Sequence, residues 1–547
     1  MNSKTEVPVI IVGGGPVGLA LANELSWRGV EYVLVDEGDG DVTFPAGEAI
    51  FSRTMEHLRR WGIADRVRHH RGFPDHYPFN VAFATSLHGK LLASFDGHAN
   101  RDMPMAFGHL SPEGPTVCPK RLFDPTLRDA ALERGADLRY GVRATLVAHD
   151  SDGVSVELAD LRTGRVERVK AGYLAACDGA RSAVRKALEI DYEGDFAQGH
   201  NFAAYFRSPG LKAHLARQFG STFFQIHTLT PQRTYLTTVD GSELWRISEY
   251  CQADQSPDPA DMIRRAIGEN IGFDILRAQP WSGHRVVARQ YGAARVFLVG
   301  DAAHLRWPKG GFGANTGIGD AIDLGWKIAA HLAGWGGDGL LESYGIERRP
   351  IALRNTGEAA RNYDRDSRIE GSPLLDADTP EGEAARRAME GEIHRHRKQE
   401  FTTQGIQLGY CYAGSPICVP DGSEPPPDDP HVYTPTTWPG ARAPHAWLAP
   451  GVSTLDAFGR AFVLVTTEYE STARTFADAF NARDVPFATL RITAPDVVRL
   501  YERKHVLVRP DGHVAWRGDE LPENPMDLLE RICGRRTLKQ QAELKAA

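Results

Sequence analysis

The stretch VPVIIVGGGPVGLALANELSWRGVEYVLVDE, near the N-terminus, constrains the fold more than any other part of the chain. A β-branched run from Val7 to Val12 meets a glycine cluster, an Ala/Leu-rich segment follows to Arg28, and a second apolar run covers Tyr32 to Val35. That order predicts a strand, a tight turn, a helix and a second strand. Gly13, Gly15 and Gly18 fill the GxGxxG positions. The first permits the turn, the second lets backbone approach a diphosphate, and the third lets the helix pack close to the strand. Pro16 fits the first helical turn, where its missing N–H costs nothing. The free amides there, with Val17 beside Gly18, and the helix dipole favour a bound diphosphate. Asp36 ends the second strand, where a carboxylate accepts hydrogen bonds from adenosine ribose hydroxyls, and Glu37 is the adjacent competitor. The unit alone does not distinguish FAD from NAD.

A second glycine-rich segment, ARVFLVGDAAHLRWPKGGFGANTGIGDAIDLGWKIAAHL, predicts a strand at Arg295 to Val299, the pair Gly300-Asp301, a loop and a long helix. A carboxylate at a strand end suits ribityl hydroxyls, and small residues let backbone N–H groups approach a flavin pyrimidine oxygen. Gly313, Ala314 and Asn315 are read as the source of those amides. This segment resembles the flavoprotein aromatic hydroxylases, the family of para-hydroxybenzoate hydroxylase, phenol hydroxylase and the polyketide hydroxylases. The resemblance implies that Asp301 binds the ribityl chain of FAD, that the loop runs along the isoalloxazine ring, and that Pro308 lies beside its reactive edge. Trp307-Pro308 stands where relatives usually carry two prolines, so a different pocket wall is expected. His304 is mostly structural in relatives.

Between these, YLAACDGARSAVRKAL resembles the family's DG motif, linked there to both FAD and the nicotinamide nucleotide. Asp178 and Arg181 take that place, with Ser182 as a helix cap; the plainer reading is an Asp-Gly turn with an exposed arginine. Arg53, in FSRTMEHLRRWG, matches an arginine implied to contact FAD, or is a solvated helix charge. Lys120 falls where many relatives have glutamine near the flavin phosphates, and a lysine can pair with a diphosphate.

Motifs so far apart must converge on one cofactor, which makes the FAD domain discontinuous. The expected class is α/β: a Rossmann-like FAD domain in two parts (1–190 and 291–424), an inserted substrate-binding β-sheet (191–290) and a C-terminal domain (425–547). The alternating stretches NFAAYFRS, STFFQIHTL, RTYLTTV and ELWRISEY carry the sheet assignment. Residues 320–400 read as helical, with charge runs on solvated faces. EPPPDDP reads as a linker. The segment beyond it resembles the thioredoxin-like domain of phenol hydroxylase. It lacks CxxC, so an interface or structural role is expected, and removal of everything after Asp421 is expected to leave the flavin spectrum.

Composition narrows the partners. A chain of 547 residues exceeds one hydrophobic core. Its 63 basic and 71 acidic residues form no basic block, which argues against nucleic acid. Six scattered cysteines suggest reduced thiols in the cytoplasm and no metal site, and no membrane or targeting segment is read.

The resemblance implies an FAD-dependent monooxygenase that consumes NADH or NADPH and dioxygen, with tightly but non-covalently held FAD. It would hydroxylate a small phenol, catechol or nitrophenol through a flavin C(4a)-hydroperoxide, with a ring substituent expelled in some cases. A flavin dehydrogenase or oxidase is the alternative; a homodimer is compatible with either. His227, Tyr235 and Tyr205 are the candidates for taking the phenol proton, against a packing role for each. Arg207, Arg233 and Arg246 are the few cations on the sheet able to meet a substrate carboxylate.

Overall fold

The computed structural model describes residues 6–42, 47–70, 72–74, 77–78, 80–96, 108–230, 232–268, 271–469 and 473–536. β1 (Glu6–Val12), α1 (Pro16–Arg28) and β2 (Tyr32–Asp36) form the N-terminal unit. β1 pairs parallel with β2 and with the strand Val166–Ala176, which pairs parallel with Val296–Leu298. Val12 lies opposite Ala176, and Ala176 opposite Leu298. Three loops carrying the three motifs therefore leave the same edge, at the carboxyl ends of adjacent parallel strands, where α/β sheets bind their ligands.

A second sheet contains β3 (Asn80–Ala84), β4 (Leu91–Asp96), β5 (Tyr192–Arg207), β6 (Gln225–Thr228), β7 (Thr234–Thr238), β8 (Leu244–Cys251), β9 (Asp274–Ala288) and β10 (His304–Leu305), in the order β10-β9-β5-β8-β7-β6-β3-β4. Strands from before residue 190 and after residue 290 thus join those of the central segment. Phe206, Ile226, Leu236, Trp245 and Ile247 point to one side and bury against the helices Leu211–Phe219 and Pro259–Ile267. The period-2 alternation turns Tyr205, His227, Tyr235, Ser248 and Tyr250 to the other side. Tyr250 there joins an apolar cluster with Trp307, Phe312 and Ala359, so this inner face looks towards the glycine loop.

The main helices are α2 (Ser52–Arg60), α3 (Phe312–Leu332), α4 (Asp338–Ser367) and α5 (Pro380–Phe401). Their charge runs are not simply solvated faces: Asp320, Asp323, Lys327, Glu347, Arg348, Asp366 and Arg397 are buried. Lys327 pairs with Asp323 at 2.7 Å and with Glu347 at 2.6 Å. The expectation fails because α3 and α4 are covered on several sides, and a buried charge is retained only with a partner.

The C-terminal sheet comprises β11 (Phe462–Thr466), β12 (Phe487–Arg491), β13 (His505–Val508) and β14 (Val514–Gly518), ordered β12-β11-β13-β14. β11 and β12 are parallel and β13 is antiparallel to both of its neighbours, the thioredoxin-like arrangement. Arg509 fastens this domain to α3 and α4, donating to Glu347 at 2.6 Å and Asp323 at 3.3 Å. Among the described residues no helix is long and apolar enough to cross a membrane.

Candidate cofactor and substrate site

Two of the fingerprint glycines are fixed by packing. A side-chain carbon on Gly13, whose φ is +108°, would stand 2.3 Å from the carbonyl oxygen of Cys177, and one on Gly18 would stand 1.9 Å from that of Gly13. On Gly15 it would meet nothing within 4 Å, so the second fingerprint glycine borders open space. The first turn of α1 has no side-chain cap and no acidic residue, which leaves its amides unclaimed. Asp36 accepts from the amides of Gly14 at 2.5 Å and Gly38 at 2.7 Å. These bonds orient the carboxylate and leave lone pairs for two hydroxyls.

Val17 inserts between Gly300 and Gly317: a carbon on Gly317 would lie 2.6 Å from a Val17 methyl. That close approach brings the GD turn beside the diphosphate turn, with Asp301 exposed at its tip. The turn is held by Asp320, which accepts from the Gly300 amide at 3.1 Å and His304 Nε2 at 2.7 Å and pairs with Arg348 at 2.7 Å. Burial pushes the Asp320 carboxyl up, but Arg348 and His304 outweigh it and hold it below the usual range. His304 is thus a positioning group, as the resemblance implied.

The loop beyond leads into α3, whose N-cap Gly311 has φ +76° and no side-chain cap. The orphan amides are those of residues 311–314. Gly313 and Ala314 belong to them, whereas Asn315 lies one residue further along and acts through its side chain instead. Its Oδ1 accepts from the Phe51 amide at 2.9 Å and Thr54 at 2.7 Å, and its Nδ2 donates to the carbonyls of Ala49 and Gly311, both at 2.9 Å. Pro308 is exposed on this loop.

In the DG turn, Asp178 Oδ2 accepts from the Val184 amide at 3.2 Å, while Oδ1 is buried with no hydrogen-bond partner among the described residues. Burial raises the Asp178 pKa. Arg181 is exposed, and Ser182 caps the short helix through the Arg185 amide at 2.9 Å. Two uncapped helix ends, three glycine-lined turns and an orphaned carboxylate oxygen at one sheet edge fit FAD. Two sequence candidates are otherwise engaged. Arg53 is buried and donates to Glu56 at 2.8 Å and to the Asp511 carbonyl at 2.7 Å, facing the C-terminal domain. Lys120 is ion-paired with Asp124.

On the inner face of the second sheet, one carboxylate gathers a network absent from the sequence reading. Asp366 accepts from the Tyr235 hydroxyl, from Tyr250 at 3.3 Å, Lys309 at 2.9 Å and Arg233 at 2.8 Å, and contacts Arg397. The two tyrosine oxygens are 3.0 Å apart, and the Lys309 ammonium lies 4.2 Å from the Tyr235 ring centre. Burial drives the Tyr235 hydroxyl well up, and drives Lys309 well down. His227 packs between Phe83 and Tyr235, with ring centres 4.7 and 4.6 Å away, and burial pushes its pKa well below the ordinary imidazole value. Tyr205 does not join them: it lies across from Arg246 and Arg277. Nor are the three sheet arginines unpaired, since Arg207 meets Glu243 at 3.1 Å, Arg233 meets Asp366, and Arg246 meets Glu48 at 2.7 Å. Lys309 had a signal, a lone cation in a glycine loop. Asp366 and Arg397 had none, lying on helices whose charges read as solvated.

Residues 6–359 match the family described as FAD binding domain, and residues 436–536 that described as aromatic-ring hydroxylase, C-terminal. The chain is 34% identical to a putative polyketide hydroxylase of Streptomyces halstedii, over 94% of each chain. It is 30% identical to the 4-methyl-5-nitrocatechol 5-monooxygenase of a Burkholderia species, over 95% of each. The solved structure of chromopyrrolic acid-soaked RebC with bound 7-carboxy-K252c superposes with a TM-score of 0.91 at 39% identity, covering 98% of this chain and 100% of that one. Fold, paired family matches and full-length relatives agree: the chain belongs to the FAD-dependent aromatic-ring hydroxylases, and FAD is its cofactor.

Proposed function

We propose that the protein uses NADH or NADPH and dioxygen to hydroxylate a phenolic ring lying between the inner face of the second sheet and the loop around Pro308, expelling a nitro or halogen substituent where the attacked carbon bears one. One observation carries this reading. Through Asp366, the hydroxyls of Tyr235 and Tyr250 on the sheet are tied to Lys309, the residue after Pro308. Hydroxyls able to recognise a phenol are thereby held beside the flavin loop. Bound FAD supplies the activation of dioxygen that a closed-shell ring does not achieve alone.

The residues divide the work as follows. The amides of Gly15, Val17 and Gly18 hold the diphosphate beside the Gly13 turn, with Pro16 starting the helix, and Asp36 holds the adenosine ribose. Asp301 holds the ribityl chain, Asp178 and Arg181 border the cofactor from the DG turn, and the amides of residues 311–314 meet the pyrimidine edge. Pro308 lies against the reactive edge. Tyr235 takes the proton of the substrate hydroxyl while passing its own to Asp366, which suits a tyrosine too weakly acidic to ionise unaided. His227, without a hydrogen-bond partner on either ring nitrogen among the described residues, packs behind it. The name of the nitrocatechol relative supports a substituted phenol, and that of the polyketide relative a larger one.

The test is anaerobic reduction of the bound flavin by NADH and by NADPH, with and without phenols ranging from nitrocatechols to polycyclic phenols. At least one should accelerate reduction tenfold or more and, in air, yield hydroxylated product. Reduction by an amine or alcohol without any nicotinamide would identify a dehydrogenase or oxidase instead.

A further inference from the structure

The guanidinium of Arg306 lies at the N-terminal turn of α3 with two of its three nitrogens unused. Nη2 meets the ring and, at 3.2 Å, the carbonyl of His304. Nε and Nη1 are buried and have no hydrogen-bond partner among the described residues. Nη1 stands 3.4 Å from the point that a side-chain carbon on Gly313 would occupy. Burial lowers the Arg306 pKa, and the charge of Asp301 opposes that shift.

Such an arrangement is unfavourable by itself. The turn already presents orphan amides and the positive end of a helix dipole, so a cation there is repelled. Buried N–H groups of a charged side chain also carry an unrecovered desolvation cost unless paired. Asp320 does not relieve this, because its oxygens are taken by Gly300, His304 and Arg348. Both costs disappear when an electron-rich or anionic group lies over the turn. Gly313, against which Nη1 lies, and Asp301, whose charge acts on Arg306, are the two points between which the ribityl chain and pyrimidine edge of FAD are proposed to run.

We infer that Arg306 is a flavin contact that donates to the pyrimidine edge and favours the reduced, negatively charged cofactor over the oxidised one. Hydride transfer delivers two electrons and one proton, leaving one negative charge on that edge, and a cation beside it stabilises the product of that step. The inference requires bound FAD only, so it stands or falls separately from the identity of the aromatic substrate.

The measurement is made on FAD-loaded Arg306→Met, Arg306→Gln and Arg306→Lys. Sulfite, whose flavin adduct is negatively charged, serves as the probe, alongside the two-electron midpoint potential. Sulfite binding should weaken at least tenfold in the Met and Gln variants. Their potentials should fall by about 30 mV per tenfold change in the reduced-to-oxidised ratio. Arg306→Lys should stay within threefold of the parent. If Met and Gln variants that melt normally have lost FAD, retention by the Lys variant supports the contact and equal loss from it overturns the role of the charge. A sulfite affinity within twofold of the parent together with an unshifted potential, in either the Met or the Gln variant with FAD bound, overturns the inference.

Discussion

The indole of Trp307 rests on the bare backbone of Gly283: a side-chain carbon there would come within 2.4 Å of the ring, and one on Gly199 within 2.6 Å. The two glycines face each other on β5 and β9, so together they make one seat for one ring. Tyr363 stacks on the indole with centres 3.8 Å apart and planes 10° apart. Trp307 is buried, so the residue that replaces a family proline anchors the flavin loop to the sheet more than it lines the pocket. Gly283→Ala should therefore cost about 1–3 kcal/mol by overpacking. Combining it with Trp307→Leu should remove most of that added cost, because the two changes share one contact. Thermal melts of the four proteins decide it; strict additivity would show that the ring does not fill this seat.

Asp301→Ala should purify with little or no flavin. The side chain is exposed at a strand end, so its loss removes a ligand group without breaking internal structure. Absorbance of the purified variant reads the result directly, and full yellow occupancy with normal turnover would reject the ribityl assignment.

Tyr235→Phe keeps the packing against His227 and removes the hydroxyl that joins Asp366 to Tyr250. Turnover of a phenol that stimulates the parent should fall roughly 10²- to 10⁴-fold, the usual contribution of a positioned proton acceptor. The melting temperature should change little by comparison. Loss should be smallest at high pH, where the phenol ionises unaided. Equal loss at every pH would point to packing.

Much of the cofactor site was legible because backbone demands are written in glycines. Gly13 and Gly18 admit no side chain against Cys177 and the neighbouring turn, and such positions announce themselves in one sequence. The substrate side was less legible. His227 and Tyr235 could be placed on a sheet, but their link to Lys309 runs through Asp366, 131 residues from Tyr235 and on helix α4. Nothing local distinguishes a buried helical aspartate from a solvated one. The membership of β3 and β4 in the second sheet was hidden for the same reason, since strand pairing over such separations leaves no local pattern. Arg306 was passed over because a cation near a helix N-terminus matters only once its unpaired nitrogens are seen.

Removal of the C-terminal domain should not leave an intact flavoprotein, contrary to the expectation from its linker. Arg509 is fully buried against Glu347 and Asp323, and Arg442 is buried against Glu56. Truncation after Asp421 removes Arg509 from Glu347 and Asp323 and Arg442 from Glu56, while also exposing apolar surface. Breaking one such buried pair costs about 3–5 kcal/mol. Arg509→Met should therefore lower the temperature of flavin release by many degrees, and the truncated chain should be insoluble or colourless. A soluble, yellow 1–421 fragment with the parent's melting temperature would show that the interface is dispensable.

Acid should weaken the protein through two buried histidines. Burial lowers the His513 pKa from 6.5 to about 4 despite Asp511, and burial together with Arg442 lowers that of His445 to about 4. Both rings are neutral in the folded chain, and each gains a proton more readily when unfolded. A depressed folded value means that stability is complete above pH 6.5, the unfolded value, and is lost as the pH falls through 4. At 1.36 kcal/mol per unit, each histidine withdraws roughly 3 kcal/mol across that interval. His513 also stands 4.3 Å from the Tyr412 ring, where a charge would have to be desolvated. The melting temperature should thus drop steeply between pH 6.5 and 4, and His513→Asn should flatten that slope even though it lowers the value at neutral pH. An unchanged slope in the variant would assign the acid sensitivity to other groups.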